Sequence, residues 1–386
     1  MTKRALIVLI GVFVISRGYL FWATDSTLIR TASGDVALYE TWAEAVLDDG
    51  RAPYSEVDIE YPPGSLPFVF GPEVVGTDYR AGFAALMLTI DLLGAVGLYV
   101  ISRRTGDPTG LWVWTLGVFL LGPITYMRLD LVPAVATIWG IEALHRGASA
   151  TAGGWWGLAV AAKLYPAALL PAIALTARRA GRFVLGLAAL LAAVMVPFAV
   201  SFGDLWNDVV GYHWGRGLQL ESSWAAVLQI AGHFGHDVAL RGASGGIEIT
   251  SAVAPALKTA GLVISMLVLA AGTVAIVRAE DEDRHAGLYG LAALLIGVGT
   301  VLSPQFILWL LALGAAAVCV APPNYRTPIL AVLPIAFATQ LIFPAMWISL
   351  RSGAIAPLLL LVARNGALIA VGVWVLTKVR KGAQVT

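Results

Sequence analysis

Residues 24–80 read TDSTLIRTASGDVALYETWAEAVLDDGRAPYSEVDIEYPPGSLPFVFGPEVVGTDYR, a polar interruption of 57 residues directly after the first hydrophobic span. The segment holds 11 of the chain's 24 acidic residues, three arginines (Arg30, Arg51, Arg80) and no lysine. Around it the chain is built for lipid. Of 386 residues, 59% are hydrophobic and 13% charged, more apolar surface than a soluble core absorbs. Carboxylates gathered on one polar loop between such spans are the place to look for chemistry.

A transmembrane helix needs about 20 apolar residues. Spans are expected at 5–23, 82–101, 110–124, 131–145, 183–200, 259–278, 286–301, 306–320, 328–345 and 356–377, the shorter ones drawing on flanking residues to reach across. The first resembles a signal sequence, but its apolar region is long, carries Arg17 and ends without a clear small-x-small site, so it reads as a retained span. Basic residues favour the cytoplasmic side. Lys3/Arg4, Arg103/Arg104, Arg146, Arg178/Arg179/Arg182, Arg278/Arg284, Arg326 and Lys378/Arg380/Lys381, 14 of the 25 basic residues, all fall inside if both termini are cytoplasmic. Loops 24–80 and 202–258 then lie outside, in a multi-pass membrane protein read as a single domain over 1–386. Residues 147–182 resist one crossing, because basic residues flank both ends. Two short helices folding back around Lys163-Leu-Tyr-Pro166 keep both ends inside, with proline breaking the helix. The expectation is an all-α polytopic protein of 10–12 transmembrane helices, about 12 helical segments in all. Net charge of +1 and the lack of a Lys/Arg block give no reason to expect nucleic acid, and Cys319 alone makes no disulfide framework.

Within the first loop, Val36, Tyr39, Trp42, Ala43, Val46 and Leu47 share one face of a helix over 35–48, with Glu40, Glu44 and Asp48 opposite as a solvated face. Such a helix is expected along the membrane interface, with Gly50 as its stop. Asp35, at its start, reads either as an N-cap or as a general base aimed into the cavity between loop and spans, and the two are compatible. Ile59-Glu60-Tyr61-Pro62-Pro63-Gly64 makes a rigid turn. It is either a loop re-entering the membrane surface or a cavity mouth carrying Asp58, Glu60 and Tyr61. Arg128 and Asp130 end another span on the same side, paired with each other or facing the cavity. Residues 212–224 add Tyr212, His213, Trp214, Arg216, Glu221 and Trp224, and Ser303-Pro304-Gln305 adds an amide. Aromatic and polar side chains together suit sugar faces and hydroxyls, although Trp and Tyr populate any membrane interface.

Arg17, Lys163 and Arg364 lie at membrane depth, where charge costs about 2.5–3.5 kcal/mol on insertion scales and faces a cavity or a partner. With few buried acids to pair them, they suggest an anionic ligand such as a lipid phosphate; snorkelling to the interface is the alternative, plausible for Arg17 and weakest for Arg364. His233-x-x-His236-Asp237 has metal-ligand spacing but no convincing third ligand, so no metal site is assigned. The sequence has no Gly-rich phosphate motif, Cys cluster or Gly-x-Ser-x-Gly, which argues against nucleotide-driven or serine-hydrolase chemistry.

The pattern Gly34-Asp35…Tyr39…Trp42…Gly50…Pro53-Tyr54…Glu60-Tyr61-Pro62-Pro63-Gly64 resembles glycosyltransferase family 87. Arg128-Leu-Asp130-Leu-Val-Pro, Lys163-Leu-Tyr-Pro166, Arg216-Gly-Leu-Gln-Leu-Glu-Ser, Ser303-Pro-Gln-Phe-Ile-Leu-Trp309 and Arg364-Asn resemble its recurring segments. A looser likeness runs to the mannosyltransferases of glycolipid-anchor synthesis. The resemblance implies the C-type membrane glycosyltransferase fold and a largely actinobacterial, polyprenol-phosphate-mannose-dependent α-mannosyltransferase. It implies an inverting transfer from the lipid-linked donor to a glycolipid or glycan acceptor, with Asp35 as base. The donor phosphate would be held by Arg364, Lys163, Arg17, His213 and Arg216. Asp58, Glu60, Tyr61, Arg128, Asp130, Glu221 and Gln305 are the candidates for sugar and acceptor. Protein cations would make a metal or other cofactor unnecessary. The chain is short for that family, which leaves open an acceptor other than phosphatidylinositol mannosides. The competing reading is a transporter or flippase of lipid-linked sugars, against which stand the absence of visible repeats and carboxylates concentrated on one side. A non-catalytic envelope scaffold leaves the membrane-depth cations unexplained.

Overall fold

The computed structural model describes residues 3–26, 28–29, 34–76, 78–201, 209, 211–243 and 246–379. Its principal helices are α1 (Lys3–Ala23), α2 (Gly34–Leu47), α3 (Leu66–Val75), α4 (Tyr79–Thr105), α5 (Thr109–Leu121), α6 (Leu131–His145), α7 (Ser149–Ala162) and α8 (Leu170–Thr176). They continue as α9 (Ala180–Ser201), α10 (Ser223–His233), α11 (Ala254–Val277), α12 (Arg284–Val298), α13 (Phe306–Val320), α14 (Val332–Gln340) and α15 (Ile355–Lys378). A small antiparallel sheet of β1 (Leu218–Gln219), β2 (Ala239–Ala243) and β3 (Gly246–Thr250), in the order β1-β3-β2, sits in the second large loop. The expected all-α polytopic architecture is the one observed, with this sheet as an addition the apolar pattern did not signal.

Among the described residues six helices have the length and apolarity to cross a membrane by themselves: α1, α4, α9, α11, the broken helix Pro323–Ala345 and α15. Helix α13 buries every side chain from Ile307 to Cys319. Fifteen residues rise only about 22 Å, less than the hydrocarbon layer, but a helix sheathed in protein need not reach across lipid. Helix α9 is the opposite case, apolar with only Phe183 buried, one face packed on α7 and the rest exposed.

The stretch around Lys163 folds back as its prolines and flanking charges require. Helix α7 ends at Ala162, Lys163 is extended (φ −161°, ψ 138°), and a 3-10 turn Tyr165–Leu169 leads into α8. The return brings Arg178 into one cleft with His145 and Arg284. At this end Arg104 and Arg146 both pair with Glu142, and Arg326 pairs with Asp107. The basic clusters thus collect at one end of the bundle, and the polar loops converge at the other.

In the first loop, helix α2 buries Val36, Tyr39, Trp42 and Ala43, while Leu47, expected on the same face, is 42% exposed. That face packs on protein, with the Tyr39 ring 5.3 Å from Phe83 of α4. Helix α3 was hidden by Pro67, Gly71 and Pro72. Pro67 lies in its first turn, where no amide donor is needed, and Gly76 ends it at φ +69°. The Pro-Pro-Gly turn is pinned against α7, since a Cβ on Gly64 would fall 2.6 Å from the Ala161 carbonyl. Tyr54 takes φ 65°, unusual for a bulky residue, and its hydroxyl donates to the Tyr61 carbonyl at 2.8 Å.

Arg17 is not a lone cation. Its Nε lies 2.8 Å from Asp91 Oδ2 and its Nη1 donates to the Thr115 carbonyl at 2.6 Å. Asp91 also accepts from Trp114 Nε1 and Tyr126 Oη, each at 2.7 Å. Removing one partner of a buried pair strands the other, at a cost of about 3–5 kcal/mol. Arg17→Met and Asp91→Leu singly should each lower the thermal unfolding midpoint in detergent clearly, and the joint replacement by less than the sum. Single variants as stable as the parent would contradict this pairing.

Candidate active site

The polar end of the bundle encloses a cavity of about 350 Å³. It is built from the start of α2, the Glu60-Tyr61 turn, the α5–α6 connection, the Lys163 break, the β1 strand, and the turn before α13. Asp35, Glu60, Tyr61, Arg128, Lys163, Arg216, Glu221 and Gln305 all line it, eight residues drawn from six separate parts of the sequence.

Asp35 lies in the first turn of α2 rather than at its cap, where the helix dipole favours a carboxylate. Its side chain, 24% exposed, forms an ion pair with Arg128, so Arg128 does not pair with its neighbour Asp130. Asp130 is fully buried beneath the cavity, accepting from Lys163 Nζ at 2.6 Å and from Trp309 Nε1 at 2.9 Å. This places Asp130 under the floor, anchoring two lining side chains, rather than among the lining. Lys163 keeps its ammonium 4.7 Å above the Tyr61 ring. On the opposite wall Glu221 pairs with Arg364 at 3.4 Å, and its carbonyl accepts from Asn365 at 3.0 Å. Arg364 is wholly buried behind Glu221 and does not line the cavity. Burial pushes the Glu221 carboxyl up to about 7, with Arg364 and Arg128 acting against it. Burial likewise raises Glu60, opposed by a hydrogen bond from Tyr212 and the charges of Lys163 and Arg216.

Two further expected site residues are not brought to this cavity. Arg17 is held by Asp91, and Asp58 is exposed and outside the lining. The side chain of His213 falls outside the described residues. The expectation of too few buried acids also fails. Asp91, Asp130 and Glu221 each take one of the three membrane-depth cations, and Asp91 was overlooked inside an apolar span. Among the described residues no group of three or more His, Cys, Asp or Glu side chains is placed to hold a metal ion.

The sequence reading missed the aromatic wall. Tyr165, Phe306, Trp309, Phe343 and Trp347 all line the cavity, with Tyr165 stacked face to face on Trp309. Three of these, Tyr165, Phe306 and Trp309, stood inside quoted motifs, Lys163-Leu-Tyr-Pro166 and Ser303-Pro-Gln-Phe-Ile-Leu-Trp309, but an aromatic in an apolar run gives no sign of facing a cavity. Tyr165, Phe306 and Trp309 also wall an adjoining apolar pocket of about 170 Å³ with Leu169, Leu295 and Leu313. The arrangement offers interleaved carboxylates and cations, aromatic rings, and an apolar annex.

The profile of Glycosyltransferase family 87 matches residues 60–304, a segment that includes Glu60, Arg128, Lys163, Arg216 and Glu221 but not Asp35 or Arg364. No curated protein matches the chain. The crystal structure of ArnT from Cupriavidus metallidurans bound to undecaprenyl phosphate is similar in fold, with a TM-score of 0.50 and 14% identity, over 98% of this chain and 78% of that one. The likeness agrees with the C-type membrane glycosyltransferase fold. With the family profile covering well over half its length, the chain belongs to glycosyltransferase family 87.

Proposed function

We propose that the protein transfers a sugar, mannose, from a polyprenyl-phosphate donor to a hydroxyl of a glycolipid or glycan acceptor, with inversion at the anomeric carbon. The observation that carries this reading is the single cavity lined by Asp35, Lys163 and Arg216 together, beside an apolar pocket. The undecaprenyl phosphate bound by ArnT supports a donor of that class. The donor's lipid chain would leave through the apolar pocket. Its phosphate would sit by Lys163, Arg128 and Arg216, whose fixed charge receives the negative charge that develops on departure. Arg364 would act through Glu221 rather than on the phosphate.

In the transfer, Asp35 takes the proton of the acceptor hydroxyl as that oxygen bonds to C1 of the sugar. The bond from C1 to the phosphate oxygen breaks, and its electron pair leaves with the lipid phosphate. Attack opposite the leaving group turns a β-linked donor into an α-linked product. Glu60, Tyr61, Glu221 and Gln305 would hold sugar hydroxyls, and the aromatic wall the apolar sugar faces. The basic end of the bundle fits a cytoplasmic face, putting the cavity outside and both termini inside.

Asp35→Asn, assayed in detergent with polyprenyl phosphomannose, should lower transfer by at least about 100-fold while the protein stays folded. Near-parental activity in a folded variant would move the base to another carboxylate. Glu60 supplies a pH test. Its pKa is raised in the folded protein, so its ionisation opposes folding. That cost is absent below the unfolded pKa of about 4.3 and complete above the folded pKa. Glu60→Gln should therefore unfold at a higher temperature than the parent at about pH 8, and the advantage should vanish towards about pH 4. A difference independent of pH would exclude this origin.

A further inference from the structure

A second cleft lies beside the candidate active site and uses the one sequence motif that site leaves aside. It has a volume of about 390 Å³ and is lined by Gln229, His233, His236, Asp237 and Arg351, with Leu240 and Leu350 among its apolar walls. Its position follows from two segments that also wall the active-site cavity. Gln219 and Glu221 line that cavity, while Leu220 between them, in the turn that follows β1, lines the cleft. In the short helix Trp347–Arg351, Trp347 lines the cavity and Leu350 and Arg351 line the cleft. Four residues of helix rise about 6 Å, a distance on the scale of one sugar ring.

The cleft is chemically unfilled. Among the described residues the side chains of His233, His236, Asp237 and Arg351 make no hydrogen bond or ion pair, and all four are exposed. Gln229 is only 8% exposed; its Nε2 donates to the Leu220 carbonyl at 3.0 Å, and its buried Oε1 has no partner. A buried amide oxygen without a partner is costly, and such atoms mark places where a donor is meant to arrive. The set mixes donors and acceptors, with one fixed positive and one fixed negative side chain and aliphatic walls. Hydroxyls that both donate and accept, carried on rings with apolar faces, match it better than an anion, which Asp237 would repel.

We propose that this cleft is a glycan subsite, taking the sugar residues of the acceptor beyond the one that enters the catalytic cavity. It rests on the proposed glycosyl transfer for its biological sense, but glycan binding can be measured without it. The acceptor class is then an oligosaccharide or a glycolipid with more than one sugar, and a lone sugar cannot reach both places.

Binding of methyl mannoside and methyl mannotrioside to the full-length protein in detergent, by saturation-transfer NMR, tests the subsite. The trioside should bind at least about 5-fold more tightly than the monosaccharide. Arg351→Ala and His236→Ala, both at exposed positions, should remove most of that preference and leave monosaccharide binding unchanged, and Gln229→Leu should do the same if it folds. Equal binding of the two glycans by the parent, or an undiminished preference in the variants at exposed positions, would overturn the proposal. Sugar transfer from polyprenyl phosphomannose, measured separately, distinguishes failure of the catalytic reading: glycan preference without transfer sinks that reading and leaves the subsite standing.

Discussion

Charge at membrane depth costs about 2.5–3.5 kcal/mol per side chain on insertion scales, so Arg17, Lys163 and Arg364 need partners built into the fold. Each has one. Asp91 holds Arg17 between α1 and α4, Asp130 holds Lys163 between the α6 start and the α7 break, and Glu221 meets Arg364 across 143 residues of sequence. The first pair ties two long helices together, and the third ties the last helix to the second large loop. They differ in what lies beyond them. Asp91 is surrounded by donors of the protein itself, whereas Lys163 and Glu221 present their remaining surface to the cavity.

That difference organises the site. Asp130 is fully buried, yet it fixes both the ammonium of Lys163 and the indole of Trp309, so one carboxylate sets the position of the cationic and the aromatic wall together. Asp35 enters from the other side on the first turn of α2, a helix held to the bundle by Tyr39 and Trp42. A loop that brings a carboxylate to cations held by the spans gives the division of work that the proposed transfer needs. In that proposal the acceptor is activated from the loop and the leaving phosphate is received by the spans. The same loops continue into the proposed glycan subsite.

Much of this was legible in the residues. Apolar length gave the span positions, including α13 and α15 almost to the residue, because lipid and protein core both demand unbroken apolar runs. The hairpin at Lys163 followed from proline and from arginines at both ends. Eight of the expected site residues share the cavity, since polar residues in a lipid-adapted chain have few other places to go. Partnerships were not legible. Asp91 reads as one acid in an apolar span, and nothing local says that it meets Arg17, 74 residues away. Arg128 and Asp130 look like partners at two residues' spacing, but their side chains turn to different neighbours. Helix α3 was lost to its prolines, and the sheet of β1–β3 to strands of two and five residues, too short for any period to show.

The central claim is that Lys163, and not Arg17, supplies charge to the ligand. Binding of undecaprenyl phosphate without its sugar, measured for the parent and for folded Lys163→Met and Arg17→Met variants, tests it most directly. The account predicts at least about a 10-fold loss of affinity for Lys163→Met, the scale of a lost charge-assisted bond, and parental affinity for Arg17→Met. Equal losses in both variants, or none at Lys163, would contradict it.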